Sequence, residues 1–266
     1  MAASAESAPP SRLADTPGRR GRRVLAAWAP PPRRRAAVEL LDSARLDARA
    51  LAGNLRDLRR ANRYLGGLAV LRRHLWPAIA ARPPGQPVRV LDVGTGAADV
   101  PLALAAWARR AGRAVRVVAL DHHAQVVAYA AEQACAEPAV RLVRGDARAL
   151  PFPDGCFDYA TCALTLHHLP PDDAAGVLAA LARVARRGLV VADLERGWAA
   201  YAATWLWSRA CTANPLTRHD APLSVLRAYT AAELRALAAA AGLRGARVYR
   251  EPFFRLALVV WHGAAP

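Results

Sequence analysis

The stretch Val90-Leu91-Asp92-Val93-Gly94-Thr95-Gly96-Ala97-Ala98-Asp99-Val100-Pro101 decides the fold. An apolar run ends on an acid and then on glycine, and an apolar helical pattern follows within a few residues. Glycine at such a point lets the backbone turn sharply and lets a ligand come within contact distance. A dinucleotide-binding loop would place a third glycine where this chain has Asp99, so that helix and sheet close around a pyrophosphate. An acid beside the N-terminus of that helix would repel a phosphate. The loop therefore suits a ligand that lacks phosphates and bears positive charge.

Outward from this loop, strand and helix patterns alternate. Val88–Val93, Val115–Leu120, Val140–Val143, Phe157–Ala163 and Gly188–Ala192 read as strands. Pro101–Arg110, Gln125–Ala136 and the segment opened by Pro170-Pro171-Asp172-Asp173 read as helices. Units of this kind imply a parallel sheet covered on both faces. The alternation breaks after Asp193. Residues 194–229 form an insertion, with a helix that bears Trp198, Tyr201, Trp205 and Trp207 followed by a polar loop, Asn214-Pro215-Leu216-Thr217-Arg218-His219-Asp220-Ala221-Pro222. The capping box Thr230-x-x-Glu233 then starts a helix that stops at Gly242. Ala246–Arg250 and Phe254–Trp261 read as two final strands joined at Glu251-Pro252, an antiparallel ending foreign to dinucleotide dehydrogenases. Upstream, Leu51, Leu55, Leu58, Leu65 and Leu68 line one face of a helical block over 36–82, with a break at Gly66-Gly67. Residues 1–35 are rich in Pro, Ala, Ser and Arg without periodicity and read as a disordered tail. The expected fold is α/β: a Rossmann-like, seven-stranded, mostly parallel sheet with a terminal antiparallel hairpin, a helical cap over 36–82, and a main domain over 83–266 with a lid at 194–229.

Acids follow the glycine loop at successive strand ends. Asp121 ends the second strand, where a carboxylate can accept two hydrogen bonds from ribose hydroxyls or cap the next helix. Asp146 follows the third strand. With the loop, these residues resemble motif I and its neighbours in the class I S-adenosylmethionine-dependent methyltransferases. The resemblance covers about residues 60 to 266 and is most specific over 88–169. It implies S-adenosylmethionine as cofactor. Gly94, Thr95 and Gly96 would back onto its amino acid part, and Asp92 would organise the ammonium end. Asp121, with His122 beside it, would meet the ribose. Asp146 would accept a hydrogen bond from the adenine amine, and the backbone at Ala147 would meet the ring. The helical block, with Asn54-Leu55-Arg56-Asp57-Leu58 at its centre, looks like the cap of a bacterial group of these enzymes near polyketide and quinone pathways.

The chemistry belongs at the tip of the fourth strand, Cys162-Ala163-Leu164-Thr165-Leu166-His167-His168-Leu169. Ligands of doubly wound sheets sit at the carboxyl ends of strands, so Leu164 should border the cofactor. Methyl transfer is an in-line displacement in which the protein chiefly positions the nucleophile. A phenol or enol must lose a proton, and His167 or His168 could take it. Equally, one imidazole could pack on the cofactor while the other bonds the backbone. His219 is a second candidate base, with Asp220 placed to orient it. Trp205, Arg218 and His219 are the candidate acceptor-binding residues of the insertion.

Composition bounds the alternatives. The formal net charge is +16, and every one of the 37 basic residues is arginine. Blocks such as Arg19-Arg20, Arg22-Arg23 and Arg33-Arg34-Arg35 suit a solubilising tail as well as a polyanion. An RNA methyltransferase is the first alternative. Against it, the chain lacks an Asn-Pro-Pro-Tyr motif, and Cys162 lacks the proline-cysteine setting of cytosine-5 enzymes. A nicotinamide oxidoreductase and an inactive cofactor-binding scaffold are further alternatives. The four cysteines form no metal-binding spacing, so no metal is expected. No segment has the apolar length of a membrane span, and no secretory core is present, so the expectation is a cytoplasmic enzyme. Its expected partner is a small apolar acceptor, phenolic or quinone-like, and not a nucleic acid; peripheral membrane contact stays open.

Overall fold

A computed structural model describes residues 30–263. Seven strands form one sheet in the order β3-β2-β1-β4-β5-β7-β6. These are β1 (Val88–Val93), β2 (Val115–Asp121), β3 (Val140–Arg144), β4 (Phe157–Ala163), β5 (Ala185–Leu194), β6 (Arg247–Glu251) and β7 (Arg255–Trp261). β1 to β5 are parallel, and β7 runs antiparallel to both β5 and β6. The expected architecture is therefore present. The hairpin turn lies one residue further on than expected, at Pro252–Phe254, with Phe253 and Phe254 both at positive φ.

The parallel strands are apolar almost throughout because helices cover both faces. On one face, Leu71, Leu75 and Ile79 of α2 (Gly67–Ala80) and Leu104 of α3 (Asp99–Arg110) pack on Val90, Val117 and Val190. On the other face, Val177, Leu178 and Leu181 of α5 (Pro171–Val184) and Leu234 of α8 (Ala231–Ala240) pack on Leu91, Cys162 and Leu189. α4 (Ala124–Ala134) connects β2 to β3. α5 starts where Pro171 fixes φ at the first helical position and Asp172 and Asp173 face the positive end of the helix dipole. Thr230 and Glu233 close the capping box of α8.

Upstream, α1 (Ala48–Tyr64) and α2 are separated as the two glycines predict: Gly66 takes φ +89° and caps α2. Of the stretch read as a tail, residues 1–29 lie outside the described residues. Residues 30–35 differ from the expectation. The Arg34 guanidinium donates to the carbonyls of Leu169 and Arg227, both at 2.7 Å, and lies 4.4 Å from the Tyr229 ring centroid. The insertion after β5 also differs. It holds α6 (Trp198–Ala210) and then, where a polar loop was expected, a second helix, α7 (Pro215–Arg227). Asn214 caps α7 by accepting from the Leu216 and Thr217 amides, and Pro215 occupies its first position, where proline is favoured. No helix among the described residues is long and apolar enough to cross a membrane.

Candidate functional site

The carboxyl ends of β1, β2 and β4 lie level, with Val93 opposite both Leu120 and Cys162. A cavity of about 510 Å³ opens above them, roofed by α1 and by the segment around Glu39–Asp42. The glycine loop forms its floor. The Gly94 and Thr95 amides both donate to the Leu120 carbonyl, at 2.8 and 3.0 Å. Gly94 has φ +71°, and a Cβ there would lie 2.0 Å from Thr165 Oγ1 and 2.7 Å from Thr165 Cβ, so only glycine fits. Gly96 (φ +53°) faces open space.

Asp92, Asp99 and Asp121 line the cavity beside this loop. Burial pushes Asp92 up to about 8, and the neighbouring Asp99 and Asp121 charges add to it. Its Oδ1 is buried without a hydrogen-bond partner, as is Thr95 Oγ1. Asp99 is raised to about 6, again chiefly by burial, although the Asn62 amide of α1 donates to it at 3.1 Å. Asp121 accepts from the Gly96 amide at 3.0 Å and from the His123 amide at 3.1 Å, so it fixes the loop and starts α4 while facing the cavity. An unmet buried carboxylate beside two others is a site for a cation. A ligand with an ammonium and a sulfonium meets that requirement, and a pyrophosphate does not.

The remaining residues expected at the cofactor end also border the cavity. His122 is largely exposed, 3.7 Å from Asp121. Leu164 takes φ +52°, turning the chain at the tip of β4. Ala147 follows Asp146, but the Asp146 carboxylate is occupied by Arg148 at 2.6 Å. That hydrogen bond holds Asp146 below the usual carboxylate range.

At the other end lie His167 and His168, with ring centroids 4.4 Å apart. His167 is buried. Its Nδ1 is 2.6 Å from Asp193 Oδ1, and its amide donates to Asp193 Oδ2 at 3.0 Å. Burial would raise Asp193, but the His167 charge and hydrogen bond, with the Leu194 and His167 amides, hold it low. His168 Nδ1 meets Asp42 at 3.1 Å. Burial raises Asp42, but His168 and then Arg227 outweigh it and bring it to about 2. Glu39 stands between the two imidazoles, 3.8 Å from His167 Nε2 and 3.7 Å from His168 Nε2. Burial pushes it up to about 7 against the pull of His168 and Arg227. Glu39, His167 and His168 are the group among the described residues whose ligand atoms converge closely enough for a metal ion, within 4.8 Å of one another.

The insertion's candidates lie elsewhere. α6 faces the cavity with Ala203, Thr204 and Trp207, while Trp205 points outward under the Arg209 guanidinium, 4.5 Å from its ring centroid. Arg218 is exposed and ties α7 to the end of α6 through the Thr212 and Arg209 carbonyls. His219 also lies outside the cavity. The helix that replaces the expected loop turns it to the outer face, although its Nδ1 does meet Asp220 at 2.7 Å. Asp220 is the residue of that trio which faces inward.

Sequence reasoning missed Glu39, Asp42, Asp193 and Arg255. Asp193 ends a parallel strand, so the rule that selects Asp92, Asp121 and Asp146 selects it too. Arg255 begins β7, which is antiparallel, so its first residue pairs with Leu194 at the sheet edge that bears the cavity. Glu39 and Asp42 carry no comparable signal.

Residues 90–188 match a family described as Methyltransferase domain. The chain is 35% identical over 107 residues to a demethylmenaquinone methyltransferase of Lysinibacillus sphaericus, spanning 40% of this chain and 44% of that protein. It is 30% identical over 193 residues to a 2-phytyl-1,4-naphtoquinone methyltransferase of Synechococcus elongatus, spanning 66% of this chain and 80% of that protein. The chain spans less than half the length of the first curated relatives it matches. Among solved structures, a SAM dependent methyltransferase from Aquifex aeolicus has the same fold, with TM-score 0.55 at 21% identity over 82% of this chain and 99% of that one.

Proposed function

We propose that this chain, which belongs to the class I S-adenosylmethionine-dependent methyltransferases, transfers a methyl group to a ring hydroxyl or ring carbon of an apolar, quinol-like small molecule. The observation that carries the reading is one cavity that joins an unpartnered acid of the glycine loop, Asp92, to a carboxylate-held imidazole, His167 on Asp193. The names of the quinone methyltransferases among its relatives support the acceptor class.

The cofactor, when bound, supplies an activated methyl on a sulfonium. Asp92 would hold the ammonium of its amino acid part, and Asp121 would meet the ribose while its bonds to Gly96 and His123 keep the loop in place. Asp193, held ionised, accepts a hydrogen bond from His167 Nδ1–H and so leaves Nε2, beside Glu39, as the atom that takes the proton of the acceptor hydroxyl. The apolar walls, Leu65 and Trp207 among them, exclude water and receive the acceptor ring.

The test is calorimetric titration with S-adenosylmethionine and S-adenosylhomocysteine, followed by labelled-methyl transfer to a panel of phenols, hydroxyquinones and reduced naphthoquinones. Label recovered in a quinol-type product supports the reading. Cofactor binding with label transferred only to RNA would replace it.

A further inference from the structure

Arg255 is a buried cation with too few partners. It is 5% exposed, and its Nε donates to the Leu65 carbonyl at 3.1 Å. Among the described residues that is the guanidinium's one hydrogen bond, and Nη1 is buried with none. No carboxylate among the described residues lies within ion-pair distance of it. Its nearest electrostatic counterpart is Asp193, which His167 already occupies. Burial lowers its affinity for its own proton, to a pKa of about 10, and Asp193 only partly offsets this. It therefore stays charged at neutral pH. Desolvating a guanidinium without pairing it is strongly unfavourable, and a chain gains nothing in stability from doing so. Such a group is retained where a ligand completes it.

Its position states what the ligand is. Arg255 opens β7, opposite Leu194 at the end of β5, and lines the cavity with Leu65, Phe254 and His167. The carboxylates Asp92, Asp99 and Asp121 belong to the cofactor end. Arg255 thus brings an unpaired buried cation beside the His167–Asp193 pair, where a proton leaves and negative charge develops.

We propose that Arg255 receives the anionic oxygen of the acceptor, so that the acceptor reacts as a phenolate or enolate held between this guanidinium and His167. The balance is simple. The acceptor's O–H proton passes to His167 Nε2, and the electron pair it leaves stays on the oxygen facing Arg255, conjugated with the ring. The new bond to the methyl carbon would take that pair, either from oxygen or through the conjugated ring carbon, as the sulfonium becomes a neutral thioether; in the second case the ring C–H proton leaves to solvent afterwards and restores the aromatic ring. The proposal rests on the methyl-transfer reading for the reaction, but the oxyanion subsite is measurable without turnover.

The probe is 2-hydroxy-1,4-naphthoquinone, an acidic enol whose anion is coloured. Titrated into the full chain with S-adenosylhomocysteine present, it should bind as the anion, with its apparent pKa lowered and its absorption band shifted. Arg255→Gln should abolish the band shift and weaken binding at least tenfold, and Arg255→Lys should restore part of both. S-adenosylhomocysteine affinity should stay within about twofold; a large fall in Arg255→Gln would mean that the guanidinium receives the cofactor's own carboxylate and would overturn the proposal. With a methylatable acceptor, Arg255→Gln should lower kcat/KM by roughly 10²–10³, the usual cost of one oxyanion donor. A stability scan separates a structural role. Without ligand, Arg255→Met should match or exceed the wild type in Tm, since it removes an unpaired buried charge. A clear fall in Tm for both Arg255→Met and Arg255→Gln, or an unchanged probe spectrum in folded Arg255→Gln, overturns the proposal. Arg255-dependent anion binding with no methyl transfer to any acceptor would leave the subsite standing and sink the methyl-transfer reading.

Discussion

His167 Nδ1 lies 2.6 Å from Asp193 Oδ1, and the His167 amide donates to the other oxygen of the same carboxylate at 3.0 Å. One buried acid at the tip of β5 thus fixes both the ring and the backbone at the tip of β4. The tautomer follows: Nδ1 carries the proton, and Nε2 is the atom left for chemistry. A carboxylate used in this way orients an imidazole and stabilises its cation without itself taking the proton.

Asp193→Asn is the sharpest probe of that pair. The amide can offer its NH₂ group to Nδ1, which selects the wrong tautomer and points a proton at the acceptor. Turnover should fall by roughly 10²–10⁴. Cofactor affinity should change by no more than about twofold, because Asp193 bonds to His167 and Leu194 and not to the glycine loop. Calorimetry on the variant, beside its pH–rate profile, checks both. Equal losses in cofactor affinity and turnover would reduce Asp193 to a structural residue.

Asp92 gives a pH dependence with a definite sign. Its pKa in the ligand-free chain is pushed up to about 8, so at neutral pH most chains carry it protonated. Binding an ammonium requires the carboxylate, so cofactor binding should release a proton near pH 7 and tighten as pH rises towards 8. Calorimetry in buffers of different ionisation enthalpy reads that proton. Asp92→Asn should abolish its release and weaken binding at pH 8.5 by about 1–3 kcal/mol, with a smaller loss at pH 6. Stability follows the opposite course. A carboxyl whose folded pKa exceeds its unfolded value makes the folded state bind more protons, so stability falls as pH rises from about 4 towards 8. Glu39, raised to about 7, and Asp99, raised to about 6, act in the same direction. The Tm of the ligand-free chain should therefore drop over this window, and less so in Asp92→Asn.

The two loop glycines separate by what surrounds them. At Gly94 an added Cβ meets Thr165 down to its own Cβ, so a change of Thr165 rotamer gives no relief, and φ is +71°. Gly94→Ala should cost about 2–4 kcal/mol from overpacking and backbone strain together. Gly96→Ala faces open space at φ +53° and should cost about 1–2 kcal/mol from strain alone. Denaturant unfolding of the two variants ranks them. Equal losses would mean that Thr165 does not set the loop.

The contrast between these residues shows what a sequence can disclose. Asp92, Gly94, Gly96 and Asp121 were legible because a strand, a tight turn and a helix in immediate succession fix where their atoms go. His167 and His168 were legible as a pair at a strand tip, but their roles were not. Those roles depend on Asp193, Glu39 and Asp42, which come from distant parts of the chain. Glu39 lies in the block over 36–82 that reads as helical, yet the chain there makes only a 3-10 turn at Leu40–Asp42, and Arg34, in the stretch that reads as disordered, anchors it on Leu169 and Arg227. Its order comes from long-range hydrogen bonds, which periodicity cannot register. The insertion misleads for a related reason. Asn214-Pro215 reads as a turn, and the same pair is a good helix start once packing supplies a helix.

Asp220 shows how the misplaced segment is held. It stands next to His219 in sequence, which invites the reading of an acid that orients a base. In the fold its carboxylate accepts from the Leu40 and Leu41 amides at 2.8 and 2.9 Å and so pins the turn that presents Glu39 and Asp42 to the two histidines. His219 only adds a bond from the outer face. Asp220→Ala leaves two backbone donors unpaired beside the cavity and should cost about 1–3 kcal/mol of stability, with a larger proportional loss in acceptor turnover than in cofactor affinity. His219→Ala removes neither amide bond and should leave turnover within about twofold of the wild type. Steady-state kinetics on both variants, with unfolding curves, distinguish the roles. If His219→Ala loses turnover and Asp220→Ala does not, the acid serves the histidine after all, and the segment around Glu39 is held by something else.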